Sequence, residues 1–195
     1  MSLDKYLTTV RKLNNMGRWA NEFMHRRATV SEHSFLVAQI GQMLALIEEE
    51  HGNIVNWERL FKKLINHDVV EALTGDILSF VKHKNIEMKQ MVDIIEEEVA
   101  EEHLLSSMEE PYRNIYKNLI FEGKDLSLEG QILRCADHID ALIECINEIS
   151  LENCNPFVDK YNTILNQIKE IDIISSKYFL DNILPNLLKD CERLR

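Results

Sequence analysis

An all-helical fold is predicted by three features of this chain. Apolar residues recur at three- and four-residue spacing through most of its length. Gly and Pro are scarce, six and three in 195 residues. Long stretches carry no turn clusters, which argues against sheets built from hairpins. With 45% hydrophobic residues the chain is long enough for one domain with a sizeable core. The expectation is a compact single-domain helical bundle over residues 1–195, without repeats or linkers.

Residues 3–15 open the chain with a stripe of Leu3, Tyr6, Leu7, Val10 and Leu13, closed by Asn14-Asn15-Met16-Gly17. An irregular basic segment follows, from Arg18-Trp19 through His25-Arg26-Arg27. A second helix is expected to begin at Val30-Ser31-Glu32-His33, with Ser31 as its N-cap. Its expected core face is Phe35, Leu36, Ile40, Met43, Leu44 and Ile47, and His51-Gly52-Asn53 ends it. A third helix over 57–70 would put His67 and Asp68 near its C-terminal end and Glu71 on the same face. Thr74-Gly75 reads as a stop, because Gly accepts the left-handed backbone that ends helices. That stop would fold Asp76 back toward His67 and Asp68.

Residues 77–85 read as an ordered loop with Lys82, His83 and Lys84 as a local basic group. Further helices are expected over 87–105, from Glu109-Glu110-Pro111 to Phe121, and over 126–151. The 126–151 helix has a core stripe of Leu128, Ile132, Leu133, Ala136, Ile139, Leu142, Ile143 and Ile146, with Asp137 beside it. Residues 157–194 supply one or two more helices, broken or kinked at Pro185, either packed on the core or lining a dimer interface.

Charge narrows the partners. A net charge of −11 argues against a nucleic-acid polymer, whose affinity comes from clustered Lys and Arg. It leaves room for a small anionic substrate held by a local positive pocket and a metal. Met1 to Leu7 has no apolar signal core, and no run approaches transmembrane length, so neither export nor a membrane is expected. Cys135, Cys145, Cys154 and Cys191 show no C-x-x-C spacing and fit reduced thiols in the cytoplasm.

The stretch from His67 to Asp76 carries the chemistry. An imidazole with the carboxylates of Asp68, Glu71 and Asp76 in one pocket is costly to desolvate without a cation, which points to a divalent metal. Taken singly, each candidate also has an ordinary reading. A His-Asp pair can cap a helix end, His33 can bond backbone at a helix start, and Asp137 can pair with Arg134. Arg18-Trp19 can be a surface cation beside a packed indole. The acidic run Glu96-Glu97-Glu98 and Glu101-Glu102 reads as a solvated face.

Taken in order, the strings are more specific. Arg18-Trp19, Val30-Ser31-Glu32-His33-Ser34, His67-Asp68 with Glu71, Leu73-Thr74-Gly75-Asp76, Val81-Lys82 and Ala136-Asp137 span residues 18–137. Their order and spacing resemble the HD-domain metal-dependent phosphohydrolases, and most closely the YfbR-like 5'-deoxynucleotidases. The resemblance implies an HD-type helical fold whose metal-site core covers residues 18–150. It implies that His33, His67, Asp68 and Asp137 bind one divalent transition metal (Co, Mn, Zn, Fe or Ni), since a mixed N/O donor set suits these ions better than Ca. It also implies that Glu71 takes a proton from the attacking water or orients it, and that Asp76 acts near the scissile bond and the sugar. Arg18 would contact the phosphate, Trp19 would crowd the sugar to favour deoxyribose, and Lys82 is either a second phosphate contact or a solvated lysine. Ala20 and Ile77-Leu78-Ser79-Phe80 stand where relatives carry Pro, so the base and sugar side of the pocket departs from the pattern.

The expected activity is therefore a phosphomonoesterase releasing phosphate from (deoxy)ribonucleoside 5'-monophosphates, in a cytoplasmic homodimer. Two other readings stay open at this stage. One is an HD hydrolase of cyclic nucleotides, an alarmone or nucleoside triphosphates; the other is a non-catalytic, metal-stabilised binding module.

Overall fold

Helix follows helix along the chain in the computed structural model, which describes residues 3–75, 85–123, 125–189 and 191–194, apart from the side chain of Glu192. The expected loop bearing Asp76 and Lys82 lies outside the described residues. Among the described residues the extended structure amounts to one isolated antiparallel bridge, Gly17 with Thr29.

Helix α1 (Leu3–Val10) tightens into a 3-10 turn over Arg11–Asn15. Helix α2 runs Val30–Glu50. Its N-terminus is capped by Thr29, not by Ser31 as expected: the Glu32 N–H donates to Thr29 Oγ1 (3.2 Å), and the Thr29 N–H donates back to Glu32 Oε2 (2.7 Å). This reciprocal pair is a capping box, spelled by a Thr and a Glu three residues apart. Helix α3 (Trp57–Asn66) ends earlier than expected, because residues 67–70 form a turn and α4 (Glu71–Thr74) starts afresh. Gly75 takes the positive φ of 78° expected of the stop after Thr74.

Helices α5 (Ile86–His103) and α6 (Tyr112–Phe121) follow, with Asn85 capping α5 through the Met88 N–H. Helix α7 (Leu128–Ser150) is capped by Ser127, whose Oγ accepts from the Gly130 N–H. Helix α8 is Cys154–Lys169 and α9 is Ile174–Tyr178. A π-helical stretch, Phe179–Ile183, then leads into α10 (Leu184–Leu187), which carries Pro185 in its first turn. The widened turn is how the chain accommodates the missing proline N–H.

By its packing the chain divides into two compact units. The first contains Met1–Asn21, Arg27–Ser34 and Ile65–Gly123. Its larger core joins Val69 and Val70 of the 67–70 turn to Ala100, Leu104, Leu105, Met108 and Ile120, with Leu3, Tyr6 and Tyr116 against them. A smaller core joins Leu13, Val30 and Ala72.

The second unit contains Glu22–Arg26, Phe35–Leu64 and Lys124–Arg195. Here α7 buries Ile132, Leu133, Ala136, Ile139, Leu142 and Ile146, and it packs on α8. The buried face of α2 is Val37, Gly41, Leu44, Ala45, Ile47 and Glu48; of the residues expected in the core, Leu44 and Ile47 are buried whereas Phe35 and Leu36 are exposed. Gly41 allows α3 to come close, since a Cβ there would stand 2.5 Å from Leu64 Cδ2. Lys63 is fully buried, with its Nζ 3.0 Å from Asp125 Oδ2, and Arg59 reaches the same carboxylate at 2.8 Å. In the C-terminal region Ile171, Ile173, Phe179 and Leu184 are buried, so they fill core.

Two buried carboxylates fasten loops in the same way. Glu48 and Glu148 each sit near the end of a long helix and accept from the side-chain amide of Asn53 or Asn153, at 2.6 and 2.7 Å. Glu48 also accepts from the Ser175 N–H, and Glu148 from the N–H groups of His25 and Arg26. A buried carboxylate is tolerated only when its oxygens are satisfied, and these are.

Candidate metal centre

The site grows from the smaller core of the first unit. Val30, the first residue of α2, packs with Ala72 and Leu13. That contact sets the first turn of α2, which carries His33, beside the 67–71 segment. Val69 and Val70 plunge into the larger core, so the turn is held rigidly while the neighbouring His67 and Asp68 project elsewhere. His33 is fully buried, and the His67 and Asp68 side chains are 1% and 13% exposed.

These three residues converge. The Nε2 atoms of His33 and His67 lie 3.4 and 3.2 Å from one oxygen, Asp68 Oδ2. The imidazoles meet edge to face with centroids 5.5 Å apart. One ligand atom from each lies within 4.8 Å of the others. Burial alone would raise the Asp68 carboxyl, but the facing imidazoles of His67 and His33 outweigh it and hold the group well below the usual carboxylate range.

The donor set fits a divalent transition ion. Ligand atoms about 2.1 Å from a shared ion stand at most about 4.2 Å apart, and both imidazole-to-carboxylate distances meet that. Two ring nitrogens with a carboxylate oxygen suit a borderline metal rather than Ca or Mg. Glu71 begins α4 directly after the turn, half-buried, with Oε2 buried.

Of the other expected site residues, Arg18 and Trp19 belong to the same unit and are half-buried. They are stitched to the start of α2. The Val30 N–H donates to the Met16 carbonyl (2.8 Å), and the Arg18 N–H donates to the Ala28 carbonyl (3.0 Å). Trp19 has a left-handed backbone, φ 54°. Asp137 lies on α7 in the second unit, half-buried beside buried Ala136. Asp76 and Lys82 fall outside the described residues. The sequence reading missed Arg27, whose Nη1 donates to the carbonyls of both Arg18 and Trp19. It also missed the Thr29–Glu32 box, although Thr and Glu stand there at the diagnostic spacing.

An all-helical fold with a buried His-His-Asp cluster defines the class, the HD-domain phosphohydrolases. Over 98% of this chain and 93% of the other, the fold is similar to an HD-domain phosphohydrolase from Listeria innocua, with a TM-score of 0.91 and 37% identity. A cyanophage S-2L HD phosphohydrolase, solved with dA and one catalytic Zn2+ ion, shares the fold at a TM-score of 0.61 and 14% identity over 93% and 96% of the two chains. More narrowly, the chain belongs to the YfbR-like 5'-deoxynucleotidase family, whose model matches residues 5–187. A 5'-deoxynucleotidase of Klebsiella pneumoniae is 29% identical over 187 residues, 95% of this chain and 93% of that one. The protein is an enzyme, a hydrolase of nucleotide phosphate esters, and the non-catalytic reading is set aside.

Proposed function

We propose that the protein releases phosphate from deoxyribonucleoside 5'-monophosphates at a single metal held by His33, His67, Asp68 and Asp137. The observation that carries this reading is the meeting of His33 Nε2, His67 Nε2 and Asp68 Oδ2 in one buried cluster. Family membership favours the substrate class, and the zinc in the cyanophage relative makes zinc one of the ions to test beside Co, Mn, Fe and Ni. We take the two units as one HD domain, since the family match runs through both.

When bound, the ion supplies Lewis acidity toward water and the phosphate oxygens. The protein's side chains do the rest. Glu71 accepts the proton that the water loses as its oxygen bonds to phosphorus. Arg18 places a fixed cation against the phosphate and offsets charge gathering on its oxygens. Asp76 delivers a proton to the 5' oxygen as the P–O bond breaks, and Lys82 adds a second cation for the phosphate. Trp19 crowds the 2' position and disfavours ribose.

The cytoplasm and a homodimer complete the reading. In support, the cysteines are free thiols, and α5 exposes Ile86, Met91, Ile94 and Ile95. No helix among the described residues is long and apolar enough to cross a membrane. The test is phosphate release from a panel of deoxy- and ribonucleoside monophosphates, a cyclic nucleotide and a triphosphate, with each metal added in turn. Release from the 5'-monophosphates above all others is the expected result. Preference for the cyclic or triphosphate substrates would replace this reading with that of another HD hydrolase.

A further inference from the structure

Arg27 lies outside the metal cluster, yet its guanidinium does something unusual for an exposed arginine. One nitrogen, Nη1, donates to two consecutive carbonyls, those of Arg18 (2.5 Å) and Trp19 (2.6 Å). Along an ordinary extended chain successive carbonyls face opposite ways. They converge on one nitrogen here because the backbone turns sharply at Trp19, where φ is 54°. A bulky side chain rarely adopts that conformation without outside support.

Gly17 makes the arrangement possible. A Cβ at residue 17 would collide with Arg27 Cδ and crowd Cγ. The glycine therefore clears the path by which the arginine reaches the two carbonyls. Around them, the Gly17–Thr29 bridge and the Arg18-to-Ala28 bond fix the segment to the capped start of α2, whose first turn carries His33. The backbone of Arg18-Trp19 is thus anchored on one side by main-chain bonds and on the other by a charged side chain.

We propose that Arg27 is a positioning residue that holds Trp19 in its left-handed conformation and so sets the enzyme's discrimination between deoxyribose and ribose. This rests on the role given to Trp19 under the proposed function. Arg27 itself need not touch substrate. By binding both carbonyls it fixes the direction in which the indole leaves the backbone, and charge-assisted bonds to two acceptors hold better than neutral ones.

The experiment compares kcat/KM for deoxyadenosine and adenosine 5'-monophosphates in the wild type, Arg27→Met, Arg27→Lys, Gly17→Ala and Trp19→Ala, with bound metal measured in each. Arg27→Met should lower the deoxy-to-ribo ratio by roughly three- to tenfold, the effect of losing bonds to a charged group, while metal content stays at the wild-type level. Arg27→Lys, which keeps a cation able to donate to both carbonyls, should recover part of the ratio. Gly17→Ala should lower the ratio with Arg27 in place, and it keeps the test available if Arg27→Met does not fold. Should Trp19→Ala narrow the ratio while Arg27→Met and Gly17→Ala leave it at the wild-type value, the inference about Arg27 is overturned and the role of Trp19 stands. Should Trp19→Ala itself leave the ratio unchanged, the reading of Trp19 fails first, and that of Arg27 with it.

Discussion

His33 Nε2 stands 3.4 Å from Asp68 Oδ2, although one residue lies in the first turn of α2 and the other in the turn that follows α3. Their meeting depends on apolar contacts beneath them, Val30 against Ala72 and Leu13, with Val69 and Val70 seated in the adjoining core. Hydrophobic packing places these polar groups, and the chemistry inherits its geometry from that packing.

Glu71 starts a new helix immediately after the His67-Asp68 turn, and the proposed reaction uses it on water instead of on the ion. Glu71→Gln should therefore cut kcat by about 10²–10⁴-fold, the usual worth of a general base. Metal content, measured by elemental analysis, should stay at the wild-type level. Loss of metal in this variant would make Glu71 a ligand instead.

Glu148 gives the stability of the protein a pH dependence. Burial would raise its carboxyl, but the Asn153 amide and the N–H groups of His25 and Arg26 outweigh burial and hold it below its ordinary value. A folded-state value below the unfolded one means that the unfolded chain takes up the proton first. The stabilisation is then complete above about pH 4.3 and is lost as pH falls through the folded value. Glu148→Gln should cost about 2 kcal/mol at neutral pH. In urea titrations that deficit should shrink below about pH 4; a deficit independent of pH would contradict the assignment.

Lys63 and Asp125 should respond unequally to substitution, because their side chains are 1% and 40% exposed. Burial would raise the Asp125 carboxyl, yet Ser127 and Lys63 hold it down to about 2. Asp125→Ala leaves a buried ammonium without that partner and should cost about 3 kcal/mol. Lys63→Met leaves a carboxylate that keeps Arg59, Ser127 and solvent, and it should cost about 1 kcal/mol. Equal losses in chemical denaturation would show that burial does not govern this pair.

Gly41 of α2 lies against the Leu64 side chain of α3. Gly41→Ala should destabilise by about 1–3 kcal/mol despite the better helix propensity of Ala, since the new methyl meets Leu64 Cδ2 at 2.5 Å. Adding Leu64→Ala should return part of the loss, visible as a coupling between the two substitutions. Simple additivity would place the strain elsewhere.

How much of this could be read from the residues alone depends on where the buried face is apolar. The stripe of α7 was legible because Ile132, Leu133, Ala136, Ile139, Leu142 and Ile146 are both apolar and buried. On α2 the stripe found buried Leu44 and Ile47 but not His33 and Glu48, buried polar residues that a hydrophobic pattern assigns to solvent. Phe35 and Leu36, apolar but exposed, extended the stripe beyond the buried face. The end of α3 at Asn66 carries no Gly or Pro to announce it; the break follows from Val69 and Val70 entering a core made of distant residues. His33, His67 and Asp68 were legible as a set because their order and spacing match a family, whereas the clamp from Arg27 depends on a backbone turn at Trp19 that no pattern of side chains reveals.

The most direct test of the account is the metal content of the purified protein and of His33→Ala, His67→Ala and Asp68→Ala, measured by elemental analysis beside circular dichroism. One divalent transition ion per chain is expected in the wild type, with each substitution emptying the site while the helical signal persists. An unchanged metal complement in all three variants would contradict it, because the ion would then be held somewhere other than the cluster on which the proposed chemistry depends.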